Sequence, residues 1–334
     1  MAKVVWGILS TANIGIKRVI PAILAGQRGV IGAIATRDAG RAREVAERFG
    51  IARSHGSYEA LLADPEIEAI YNPLPNHLHV EWTVRALEAG KHVLCEKPIA
   101  LNAGEAEALV RARDRSGRCV IEAFMVRHHP QWHRIRALVR GGEIGAVQAL
   151  QSAFTFPVAN PNNVRNRLDY GGGALYDVGC YPIVTARYVF GAEPERVVAL
   201  LERDPEHRVD RLTSALVAFP GGGQLVFTCA LQLALYQRVV ILGSRGRIEV
   251  PVPFTPPREH GCRIVIDTGA SLDGSSARVE EFAAVDQYQL QCDLAAAAFR
   301  GEAPQEFPIE DAIANMRVID ALYRSAASGQ WQTP

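Results

Sequence analysis

Apolar and polar positions alternate in blocks along the first third of the chain. Short runs rich in valine and isoleucine (VVWGIL, VIGAIAT, EAIYN, HVLC and CVIEAF) alternate with stretches of helical periodicity from Asn13 to Ala25, Gly40 to Phe49, His77 to Ala89 and Gly104 to Arg115. That rhythm predicts parallel strands joined by crossover helices, a doubly wound layer. Past Phe124 the pattern changes. VQALQSAFTF, RVVALLERD, TSALVAFPGGGQLVFTCALQL and YQRVVILGSRGRIEV are longer strand candidates, some joined by glycine turns such as Gly221 to Gly223, and they predict a mostly antiparallel sheet. Helices are expected over Pro130 to Arg140, from Ala174 toward Phe190, and over Asp286 to Phe299 and Ile309 to Ala327. The expected architecture is therefore α/β over residues 1–123 and α+β with a large open sheet over 124–334. A sheet covered by helices on one side only leaves an apolar face, which predicts a homodimer or dimer of dimers through that face.

Length and charge narrow the function. At 334 residues the chain exceeds what one hydrophobic core organises, which agrees with two domains. Lysine plus arginine and aspartate plus glutamate both number 36, so no bulk field draws the chain to nucleic acid or an anionic membrane. With no leader-like or bilayer-length apolar run, a cytoplasmic protein is expected. Cys95, Cys119, Cys180, Cys229, Cys262 and Cys292 form no C-x-x-C pair and read as reduced thiols, Cys180 standing out because it falls inside a motif described below. His129 and His133 are four apart, but no carboxylate lies at a suitable spacing and no metal is expected.

Candidate chemistry begins at WGILSTANIGIKRVIPAIL, where a strand runs into a helix through small residues. In a dinucleotide-binding loop three glycines make the tight turn, the close approach to pyrophosphate and the close helix packing. Here those places hold Ser10, Ala12 and Gly15. Serine suits the first if its φ stays negative, and alanine at the second adds one methyl group. Ser10, Thr11, Ala12, Asn13 and Ile14 are thus candidate cofactor residues. The second strand ends in Thr36 and Arg37, with Arg41 a helical turn on, and a hydroxyl with guanidinium groups suits the 2′-phosphate of NADP. Asp38 is the competing signal, since a slip of one residue would bring its carboxylate to the ribose, as NAD requires. NADP is expected, with NAD as the alternative.

Further on, HVLCEKPIALN puts Glu96, Lys97 and Pro98 just past a parallel strand, and GGGALYDVGCYPI puts Asp177 and Tyr181 four residues apart on a helix that Gly179 and Pro182 should kink. Together with YNPLPNHLH and EAFMVRHHPQWHRI, these stretches resemble the glucose-fructose oxidoreductase, inositol dehydrogenase and MocA (Gfo/Idh/MocA) family over essentially the whole chain. The resemblance implies a Rossmann domain, a C-terminal domain whose open sheet serves oligomerisation, and a catalytic site in the cleft between them. It maps the family's lysine to Lys97, its aspartate to Asp177 and its acid/base position to Tyr181. A tyrosine there is similar to the glucose-fructose oxidoreductase and dihydrodiol dehydrogenase branches. Asn72, Leu74 and Asn76 resemble residues near the cofactor, with an N-cap as the other reading of Asn76; Glu96 joins them.

The chemistry is consistent with those places. Oxidising an alcohol needs a base for the hydroxyl proton, and a free tyrosine with pKa about 10 is a poor one. Lowering a phenol's pKa by ~2 units takes roughly 2.7 kcal/mol, within reach of one ammonium about 4 Å away in a partly desolvated site. Lys97 is the candidate ammonium, Asp177 the residue that orients the lysine or the substrate, and Arg127, Arg165 and Arg167 are candidate substrate contacts. The expected function is hydride transfer between NADP and a sugar or cyclic polyol. Reduction of a keto-sugar or dihydrodiol-type compound, or a non-catalytic NADP-binding sensor, are the alternatives.

Overall fold

The computed structural model describes residues 2–158 and 160–334. They form two compact units, one of residues up to Met125 plus Asp286–Ile313, the other of Val126–Val285 plus Ala314–Pro334. The first contains a six-stranded sheet of β1 (Val4–Leu9), β2 (Gly29–Ala35), β3 (Arg53–His55), β4 (Ala69–Asn72), β5 (His92–Cys95) and β6 (Val120–Glu122). Its order is β3-β2-β1-β4-β5-β6 and every pairing is parallel. Between the strands run α1 (Ile20–Ala25), α2 (Ala39–Phe49), α3 (Tyr58–Leu62), α4 (His79–Glu88) and α5 (Ala103–Ser116). Local chemistry sets several of these starts: Asp38, Ser57 and Asn102 each accept a backbone N–H from the first turn of α2, α3 and α5.

This arrangement is the expected doubly wound layer. Trp6, Ile8, Ile20, Ile34 and Leu94 are buried in its core, and a late helix shares that core. This helix, α8 (Gln287–Phe299), is capped by Asp286, which accepts from Tyr288 and Gln289 N–H. Its Asp293 accepts from the backbone of Gln27 and Arg28, and its Phe299 ring lies 5.5 Å from that of Trp6. A continuous second domain over 124–334 is therefore not what forms: Asp286–Ile313 belongs with the first unit, because α8 buries Cys292, Ala295 and Ala296 there.

The second unit contains α6 (Pro130–Arg140), α7 (Cys180–Phe190), most of α9 (Ile309–Ser328) and eight strands. The strands are β7 (Val147–Thr155), β8 (Arg196–Arg203), β9 (Asp210–Ala218), β10 (Gln224–Ala230), β11 (Tyr236–Gly243), β12 (Gly246–Val250), β13 (Cys262–Asp267) and β14 (Ala277–Phe282). They run in the order β14-β13-β12-β11-β7-β10-β9-β8, with β7 and β10 the parallel pair and the other pairings antiparallel. β3, β13 and β14 go beyond the strands the sequence pattern predicts; β3 is three residues long, and β3 and β14 are edge strands without a sustained apolar run. Across β8, β9 and β10, Val197, Val217 and Leu225 are buried on one face, while Leu200 is 80% and Val226 48% exposed on the other. No helix among the described residues is long and apolar enough to cross a membrane.

Candidate active site

Every candidate cofactor residue falls at the carboxyl edge of the first sheet, because parallel strands with return helices send all their C-terminal loops to one side. The sheet order puts β1 between β2 and β4, so the chain leaves β1 where the strand order reverses, the place ligands occupy in open α/β sheets.

At the end of β1, Ser10 has φ +66°. This corrects the expectation of a negative φ. The turn keeps the left-handed geometry that glycine ordinarily supplies, and serine bears the cost, about 1 kcal/mol. Two bonds hold it: Ser10 N–H donates to Ala35 O at 2.7 Å, and Ala12 N–H donates to Ser10 Oγ at 3.2 Å. Thr11, Ala12, Asn13 and Ile14 follow, leading into a π-turn over Gly15–Val19 and then α1. At Gly15 a Cβ would stand 3.6 Å from the Tyr71 ring, ordinary contact distance, so the third place is close to β4 without excluding a methyl group.

At the end of β2, Thr36 N–H donates to His55 O at 3.2 Å, and the side chains of Thr36 and Arg37 both lie near enough to the Tyr58 hydroxyl to favour its ionised form. Burial raises the Tyr58 pKa while the Arg37 charge lowers it, the burial effect prevailing. Tyr58 was not singled out in the sequence; it meets Thr36 only through the β2–β3 pairing. Asp38 is the N-cap of α2, its carboxylate accepting from Arg41 N–H at 3.0 Å. Arg41 itself faces Glu44 at 2.7 Å on an exposed helix surface.

Past β4, the buried Asn72 donates to His79 O and Thr83 Oγ1 at 3.2 and 3.1 Å and accepts from Leu74 N–H at 3.2 Å. Its amide thus braces its own loop. Leu74 is buried, and Asn76 opens a short 3-10 turn whose cap, Pro75, makes no side-chain bond.

Past β5, Glu96 is buried and accepts from Tyr71 Oη at 2.7 Å. The Lys97–Pro98 peptide is cis. On the far side of Lys97, Ile99 N–H donates to Glu122 Oε1 at 2.9 Å, and the His79 ring lies between the carbonyl oxygens of Pro98 and Leu74, 2.7 Å from each, able as a neutral ring to donate to one of them. Burial and the nearby Lys97 charge push the His79 pKa down to about 4 against those carbonyls, which favour the charged ring. Lys97, half-buried, therefore projects from a loop tied at Glu96, Pro98 and Ile99.

In the second unit the expected kink takes the form of a π-turn over Leu175–Gly179 that runs into α7. Asp177 lies in that turn, where its carboxylate accepts from Arg165 Nε at 2.6 Å. Arg165 also lies 5.6 Å from the Phe156 ring centroid, while Arg167 pairs with Asp169 at 2.7 Å in the open. At Gly172 a Cβ would overlap the Arg165 carbonyl, so the glycine triplet and the arginine loop lie in close contact. Tyr181 is 4% exposed, its ring 5.3 Å from Phe154 and 5.4 Å from Phe254. Arg127 is buried in a 3-10 turn beside His128, whose pKa is pushed down to about 3 by burial and by the Arg127 charge. His129 caps α6 by accepting from Gln131 N–H.

Comparison with known proteins bears on the chain's length from end to end. Residues 5–124 match a family model described as "Oxidoreductase family, NAD-binding Rossmann fold", and residues 132–249 match one for the GFO/IDH/MocA C-terminal domain. An uncharacterised oxidoreductase of Rhizobium meliloti is 50% identical over 333 residues, covering 100% of both chains. D-xylose 1-dehydrogenase (NADP(+)) 2 of Haloferax volcanii is 36% identical over 97% of this chain and 98% of its own. Among solved structures, a 3-ketoreductase from Actinomadura kijaniata in complex with NADP and TDP-benzene superposes with a TM-score of 0.91 at 32% identity, over 97% of this chain and 98% of that one.

The Ser10 turn yields a stability test. Ser10→Ala keeps the unfavourable φ and loses the Oγ acceptor, so it should lower unfolding free energy by about 1 kcal/mol. Ser10→Gly loses the same bond but relieves the backbone and should lie above the alanine variant in urea denaturation. An alanine chain as stable as the glycine one would contradict this account of the turn.

Proposed function

The chain belongs to the GFO/IDH/MocA family of oxidoreductases, and from that premise we propose that it transfers a hydride between NADP and a hydroxyl or carbonyl carbon of a sugar or cyclic polyol. The observation that carries the cofactor assignment is the convergence of the Thr36 and Arg37 side chains on one hydroxyl, while Asp38, the carboxylate of that stretch, caps α2. Donors suited to a 2′-phosphate are thereby presented and the competing acceptor is engaged elsewhere. Ser10 to Ile14 would hold the pyrophosphate at the helix start, and Leu74 and Asn76 would line the nicotinamide end. When bound, the nicotinamide supplies the hydride in reduction and accepts it in oxidation.

In this reading Tyr181 gives a proton to the substrate oxygen in reduction and removes it in oxidation. Lys97 favours the phenolate by its positive charge and donates to the same oxygen. Asp177, bonded to Arg165, holds that guanidinium beside the acid/base helix. Arg165 and Arg167 each already have a carboxylate partner, which favours an uncharged sugar over a substrate bearing a diphosphate. A 3-keto-sugar is the second reading, favoured by the structural likeness to the ketoreductase. Two copies joined through the sheet face that carries Leu200 and Val226 complete the proposal, since exposed apolar side chains on a sheet favour being covered.

Two measurements test it. Across a panel of aldoses and polyols that includes D-xylose, Tyr181→Phe should lose ~100-fold or more in turnover while retaining NADPH affinity, and Arg37→Asp should weaken NADPH by roughly 30-fold or more with little effect on NADH. Unimpaired turnover by Tyr181→Phe would remove the acid/base role from that residue, NADPH binding with no turnover by the wild type on any sugar or polyol would fit a sensor, and equal effects on both cofactors would reverse the NADP assignment. Leu200→Glu should reduce the light-scattering mass to that of one chain; an unchanged mass would rule out the shared face.

A further inference from the structure

The helix carrying Asp177 and Tyr181 begins at a place where the backbone is held by a buried acid that neither the proposed chemistry nor the comparisons use. Asp210, the first residue of β9, is 1% exposed. Its carboxylate accepts from Leu175 N–H at 2.6 Å, from Tyr323 Oη of α9 at 2.9 Å and from Thr213 Oγ1 of β9 at 3.3 Å. Leu175 is the first residue of the π-turn, two residues before Asp177 and six before Tyr181. Two residues before it, Gly173 has φ +122°, and a Cβ there would overlap Asp210 Oδ1. The missing side chain is thus the notch in which the carboxylate sits, so the glycine run has a steric reason as well as a conformational one.

Three donors and, among the described residues, no cation meet this acid, which suits the ionised form geometrically while burial opposes it. Among the groups around it, Tyr323 from α9 and Cys229 from β10 are pushed well above their ordinary range by burial and stay neutral. Tyr176 of the π-turn packs on the Tyr323 ring at 5.2 Å, and Asp177 is paired with Arg165.

We propose that Asp210 is a positioning residue: its ionised carboxylate, seated in the Gly173 notch and bonded to the Leu175 amide, fixes the helix start from which Asp177 and Tyr181 project, and protonation loosens it. The role rests on the proposed function of those two residues. Burial raises the Asp210 pKa to about 6, so the organising form is lost as pH falls through that value. The sign for folding is opposite. A raised carboxylate pKa makes the folded chain bind the proton more tightly than the unfolded one, so this group adds stability below about pH 4 and that contribution is lost as pH rises through about 6.

Hydrogen exchange of the segment 174–181, read by mass spectrometry, tests the proposal alongside NADPH turnover. Asp210→Ala should speed exchange at Leu175 about tenfold and lower kcat at least as much, with NADPH affinity unchanged. Asp210→Asn keeps an acceptor for the Leu175 amide and should hold kcat within about threefold while abolishing the acid limb near pH 6. Tyr323→Phe removes a donor to the carboxylate and should move that limb to higher pH. Exchange in Asp210→Ala equal to wild type, or an unchanged acid limb in Asp210→Asn, overturns the proposal; the asparagine and phenylalanine variants decide it if the alanine chain does not fold. Accelerated exchange in Asp210→Ala with no turnover by the wild type on any sugar supports the anchor and sinks the catalytic reading instead.

Discussion

Both units of the chain solve one physical problem: a helix has to begin at a fixed place against the end of a sheet, and its first N–H groups need partners that the helix cannot supply. In the first unit the answer is local. Ser10 takes up a left-handed backbone and its own hydroxyl satisfies Ala12 N–H two residues on. In the second unit it is long-range, with Asp210 reaching from β9 to the Leu175 amide. Each helix then passes through a π-turn, Gly15–Val19 and Leu175–Gly179, before it becomes regular. π-turns are rare and concentrate at functional places, in keeping with the two segments that carry cofactor and proton-handling candidates.

Lys97 illustrates how a flexible side chain gains a definite origin. Its neighbours are tied to three separate elements: Glu96 to β4 through Tyr71, Pro98 to α4 through His79, and Ile99 to β6 through Glu122. Each bond is buried, where loss of one partner strands the other at a cost of about 1–3 kcal/mol. The His79 ring packs between two loops, since the Leu74 carbonyl on its other side belongs to the stretch that also holds Asn72 and Asn76. The proposed nicotinamide wall and the proposed ammonium are therefore parts of one braced assembly within the first unit.

Much of this was legible in the residues. Valine- and isoleucine-rich runs with intervening helical periodicity specify the parallel sheet, and the position of each candidate at its carboxyl edge follows from that topology. Asp38, Asn102 and Asp286 cap helices as their types suggest. The missed features share a different origin. Ser10 reads as a residue that avoids positive φ, yet the turn geometry overrides that preference. Tyr58, His79 and Asp210 act on partners 22, 19 and 35 residues away, respectively Thr36, Pro98 and Leu175, and nothing in local spacing marks such pairs. The grouping of α8 with the first unit escapes a linear reading because the helix returns to a core built nearly 300 residues earlier.

The central proposal is that the positive charge of Lys97 lets the Tyr181 phenol exchange a proton with substrate. Rapid-mixing measurement of NADP reduction by Lys97→Met, with a sugar or polyol that the wild type oxidises, tests it most directly. The account predicts NADPH affinity within a few-fold of wild type, hydride transfer slowed by ~100-fold or more at pH 7, and a gap that narrows as rising pH ionises the phenol unaided. Hydride transfer at the wild-type rate at pH 7 would contradict it.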